Sequence, residues 1–90
     1  MPIDPDEDLE VKLVNLQKRV RLLPDNQKEV GEKALELCQR PDITMPEYVK
    51  QMRSYPGLRT REEARINTSL LIVAMLAERI VIYKESKYLH

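Results

Sequence analysis

The sequence predicts a small all-α domain of four helices whose C-terminal helix is long and largely buried. Three observations point there. Prolines at positions 2, 5, 24, 41, 46 and 56 punctuate the chain, and each removes a backbone donor and blocks a helix already under way. The stretches between them carry apolar residues at steps of three and four, the spacing of one helix face. The last stretch is apolar on every side, the pattern of a helix surrounded by others.

The first helix is expected from about Asp6 to Leu23, with Leu9, Leu13, Leu16, Val20 and Leu23 on one stripe. Asp6, Glu7 and Asp8 at its start and Lys18, Arg19 and Arg21 near its end complement the helix dipole. Residues 1–5 precede it as a flexible acidic lead, and 6–90 form a single helical domain. A turn at Pro24-Asp25 leads to a second helix from about Asn26 to Arg40. Val30, Ala34, Leu37 and Cys38 face inward there, and Leu35 widens the stripe. Gly31 reads as a weak point, since glycine costs up to about 1 kcal/mol relative to alanine inside a helix. The third helix begins at Thr44, where Thr44-Met45-Pro46-Glu47 fits a capping box with proline in the first turn. Tyr48, Val49 and Met52 form its apolar face, and Pro56-Gly57 closes it.

The fourth helix starts from another capping box, Thr60-Arg61-Glu62-Glu63, and runs toward Lys87. Ile66, Leu70, Val73, Ala77 and Ile80 make one stripe, Leu71, Met75 and Ile82 a second, and Ile72, Leu76 and Tyr83 a third. Ile80-Val81-Ile82-Tyr83 would also suit a strand, but no obvious second strand exists to pair with it. A helix of about 27 residues spans roughly 40 Å, more than the roughly 30 Å diameter of a compact chain of this size. The helix therefore either breaks near Asn67-Thr68-Ser69 or is covered in part by a second copy of the chain. Self-association through Leu70, Leu71, Val73, Met75, Leu76 and Ile80 is the expectation that follows.

Composition limits the chemistry. The chain is 42% apolar and 33% charged, with 15 basic and 15 acidic side chains, too apolar for a disordered segment and too charged for a membrane protein. Its longest apolar run, Leu70 to Ala77, falls far short of the roughly 20 residues that span a bilayer. The opening Met-Pro-Ile-Asp-Pro-Asp-Glu-Asp is unlike a secretory signal. A single cysteine, Cys38, has no internal disulfide partner, which fits a reducing compartment and a cytoplasmic location. Cys38 and the lone, terminal His90 supply neither a metal cluster nor a nucleophile with its base. Two glycines, Gly31 and Gly57, are too few for a phosphate-cradling loop. No catalytic residue, cofactor or metal is assigned, and the chain reads as non-enzymatic.

The stretch Leu70-Leu71-Ile72-Val73-Ala74-Met75-Leu76-Ala77-Glu78-Arg79 resembles the leucine-rich, arginine-containing first helix of the small all-helical chorismate mutases. Asn67 stands where that pattern prefers an acid, and the later active-site helices have no counterpart here. The likeness extends to helix-forming composition and no further.

The expected function is that of a protein-interaction module: a small regulator, adaptor or assembly factor that self-associates and captures another protein. Tyr55 and Leu58, rimmed by Arg53, Arg59 and Arg61, suggest an apolar knob for an acidic partner, since tyrosine and arginine dominate many interfaces. The alternative is a DNA-binding regulator. Residues 33–52 have helix–turn–helix proportions about Pro41-Asp42-Ile43-Thr44, and Lys50, Arg53, Arg59, Arg61 and Arg65 form a basic cluster over 50–65. Zero net charge and a pI near 6.6 weigh against it, because phosphate contacts need a positive surface.

Overall fold

The computed structural model describes residues 5–55 and 61–88. They form α1 (Pro5–Arg21), α2 (Asp25–Gln39), α3 (Met45–Met52), α4 (Arg61–Ile66) and α5 (Thr68–Tyr88), with no strand among them. The all-α class and the four proline-bounded stretches hold. The last stretch divides at Asn67 into α4 and α5, the first of the two alternatives that its length left open. At 21 residues α5 is about 31 Å long and fits the 38 Å long axis of the chain. Ile80 to Tyr83 are helical.

The predicted stripes meet in one core. Leu16, Val20 and Leu23 enter it from α1 and the turn after it, Val30, Ala34, Leu37 and Cys38 from α2, and Tyr48 and Met52 from α3. Leu70, Val73, Ala77 and Ile80 come from α5, together with Val81, which belonged to none of the expected stripes; α5 packs against each of the other four helices. Each large aliphatic buried this way contributes about 1.5–3 kcal/mol. Gly31 has a positive role that the sequence did not suggest. It is buried, and a Cβ placed on it would lie 2.5 Å from Leu23 Cδ1 and 3.2 Å from Val20 Cγ1. The missing side chain is what lets α1 and α2 approach.

Several local expectations need correction. Thr44 is the N-cap of α3 but makes no side-chain cap, so the capping box does not form. The Met45 amide donates instead to Glu85 Oε2 of α5, at 2.9 Å. A carboxylate on a neighbouring helix accepts the bond and also answers the positive end of the α3 dipole. Helix α2 starts at Asp25, with Pro24 as its N-cap, rather than at Asn26. Helix α1 already begins at Pro5, so the boundary of the acidic lead moves, and residues 1–4 lie outside those described. The Thr60 cap and the Pro56-Gly57 turn also lie outside them. Ile66 is 87% exposed, because the interruption at Asn67 takes it out of phase with the α5 stripe.

Candidate interaction surface

The chemically versatile side chains converge where α2, α3 and α5 meet, and that junction is a piece of core. Cys38 Sγ donates to the Ala77 carbonyl at 3.4 Å, across the α2–α5 contact. Lys84 buries its stem, and its Nζ donates to the Arg40 carbonyl at 3.2 Å, just past the end of α2. That is the end of a helix where free carbonyls welcome a cation. Burial pushes the Cys38 thiol from 9.0 up to about 12, with the Lys84 charge pulling the other way. A thiol held so high is protonated at neutral pH and is no nucleophile. Burial also raises the Tyr48 phenol, aided by Cys38 and Glu78, and lowers the Lys84 ammonium below 10.5, which Cys38 partly offsets. Among the described residues no group of three or more His, Cys, Asp or Glu is placed to hold a metal ion, and no helix is long and apolar enough to cross a membrane.

These shifts set an alkaline response whose sign can be worked out. Above pH 9.0 the unfolded chain loses the Cys38 proton that the folded chain keeps until about pH 12, so stability falls as pH rises. Tyr48, raised from 10.0, acts in the same direction above that value. Lys84, lowered from 10.5, acts oppositely, but only up to 10.5. Each group titrating in one state alone contributes about 1.4 kcal/mol per pH unit. The expected result is a urea midpoint that drops steeply above pH 10.5, with the drop reduced in Cys38→Ala. An equal drop in that variant would remove Cys38 from the account.

The surface of α5 is divided sharply. Leu70, Val73 and Ile80, expected at a self-association seam, are at most 1% exposed and belong to the core of the single chain. Leu76 is half-buried and packs against that core. Leu71 is half-buried, Met75 is 46% exposed and Ile82 is 54% exposed. By helical spacing these three share the face opposite Val73 and Ile80. Any association through α5 therefore falls to Leu71 and Met75 of the expected set, joined by Ile82. The grouping of these three was visible in the sequence; which of the three stripes faced outward was not.

The other candidates do not assemble. Tyr55 is half-buried and packs against the core rather than standing out as a knob. Arg53 is exposed at the C-cap of α3. Leu58, Arg59 and the side chain of Arg61 lie outside the described residues. In the helix–turn–helix-like region, Lys33 and Arg40 both pair with Glu36, at 3.5 Å and 3.4 Å. Asp25, Glu29, Glu32 and Glu36 turn an acidic row to solvent along α2. Lys50, Arg53 and Arg65 are exposed, but Glu47 stands in the first turn of α3, the part of a recognition helix that reads bases. This pattern weighs against the DNA-binding alternative.

The class defined by this fold is a small all-α domain, and its α5 leaves an apolar face partly open to solvent. No family, curated protein or solved structure was found to match the chain.

Proposed function

We propose that this domain is a non-enzymatic protein-interaction module that self-associates through the outward face of α5. The observation that carries the reading is the apolar strip Leu71–Met75–Ile82, on the far side of the helix from its buried stripe. Met75 and Ile82 are about half exposed in the single chain, and water is the poorest neighbour for them. The protonated, buried Cys38 suits a reducing compartment such as the cytoplasm. The strip is one helix wide, which places the contact at the small end of specific interfaces and makes the complex weak and concentration-dependent.

Sedimentation velocity over roughly 10 µM to 1 mM tests this, a range suited to a weak complex. The wild-type chain is expected to shift from monomer toward a larger species. The Met75→Glu/Ile82→Glu double variant is expected to raise Kd by about 30-fold or more while keeping its helical circular dichroism. A wild-type chain that stays monomeric throughout, or a double variant that associates as well as wild type, would overturn the reading.

A further inference from the structure

We infer that the occupant of the α5 face is a second copy of this chain, docked with its own α5 parallel and in register, and held so by crossed Glu78–Arg79 pairs. This rests on the self-association proposed above and adds its geometry. Successive residues turn by about 100° around a helix, which puts Met75 and Ile82 within about 20° of each other on the outward face. Glu78 then lies about 50° to one side of that line and Arg79 about 50° to the other. Both are exposed, and neither has an ion-pair partner among the described residues.

An acid on one flank and a base on the other make the strip self-complementary in only one of the two symmetric arrangements. A two-fold axis running along the helices brings the left flank of one copy against the right flank of the other. Glu78 then meets Arg79 of the second copy, twice over, with the paired positions offset by only about 1.5 Å along the axis. A two-fold axis across the helices turns one copy upside down and brings like flanks together. With α5 centred on this same segment, Glu78 would face Glu78 and Arg79 would face Arg79, which is repulsive on both sides. The parallel arrangement also sets Met75 against Met75 and Ile82 against Ile82 along a continuous seam, ending at Ser86 against Ser86. Rim charges of this kind add little affinity, but they fix orientation and register.

Charge reversal at the two flanks separates this geometry from the parent reading. Glu78→Arg and Arg79→Glu, each sedimented alone, are expected to associate at least about fivefold more weakly than wild type, since each turns two attractions into two repulsions. The Glu78→Arg/Arg79→Glu double swap restores both pairs and is expected to return to wild-type association. An equimolar mixture of the two single variants is likewise expected to associate, which shows that both are folded. If Met75→Glu/Ile82→Glu abolishes association while the single charge reversals leave it unchanged, the self-association stands and the crossed pairs fall. Ser86→Cys supplies an independent check with diamide as the thiol oxidant. A covalent dimer is expected from this exposed position, with no background from the buried Cys38. A variant that sediments as a dimer yet stays uncrosslinked would overturn the parallel arrangement.

Discussion

Leu37→Ala is expected to cost about 3 kcal/mol or more of unfolding free energy. Leu37 is 0% exposed, on α2 where that helix crosses α5. Removing three carbons there forfeits their transfer energy and leaves a cavity that rigid helices cannot close. A domain of this length is held by only about 5–10 kcal/mol in total, so the variant lies close to the folding threshold. Leu22→Ala is the matched control: Leu22 is 75% exposed, and its loss is expected to stay within about 0.5 kcal/mol. Urea titration of the two proteins checks the pair. Similar losses in both would mean that the core is not organised around the α2–α5 crossing.

Gly31→Val is expected to be nearly as damaging, at about 3 kcal/mol, although it adds atoms instead of removing them. Two effects compete at this position. Alanine at Gly31 would gain up to about 1 kcal/mol of helix propensity. Against that, its Cβ would press on Leu23 Cδ1, the movable end of a flexible side chain, and on the stiff, branched Val20. Gly31→Ala is therefore expected to fall near neutrality. Valine adds two γ carbons that have no space beside Val20, so the α1–α2 contact must open. Thermal unfolding of the Ala and Val variants side by side decides it. A Gly31→Val protein that melts with the wild type would show that Gly31 is only the weak helix residue its propensity suggests.

What was legible in the sequence was local. Proline positions and the steps of three and four identified the elements, and they placed Leu16, Val20, Val30, Leu37, Tyr48 and Met52 in the core correctly. Length showed that the last helix was too long for one compact chain, but not whether it broke at Asn67 or was covered by a second copy. What was not legible depended on contacts between distant parts of the chain. Ile43 is buried in a non-helical connection, where no periodicity announces it. Lys84 looks like a surface lysine until the carbonyl that receives its ammonium, 44 residues away, is in place. Thr44 carried a valid capping signature, but the acceptor for the first amide came from another helix. The apolar stripes of α5 are equivalent in the sequence, and only packing by α1, α2 and α3 distinguishes the covered from the open one.

The bond from Met45 to Glu85 has a further consequence for the order in which the chain is made. Helix α3 has only eight residues, too few to persist alone in water, and the acceptor for its first amide lies 40 residues further on. The carbonyl at the end of α2 likewise waits for Lys84. During synthesis α1 and α2 can form and meet early, whereas α3 has only its contact with α2 to hold it until α5 has emerged. Folding of the middle of the chain is thus completed by α5, and a chain stopped short of Lys84 would lose both bonds that tie α3 and the end of α2 to that helix.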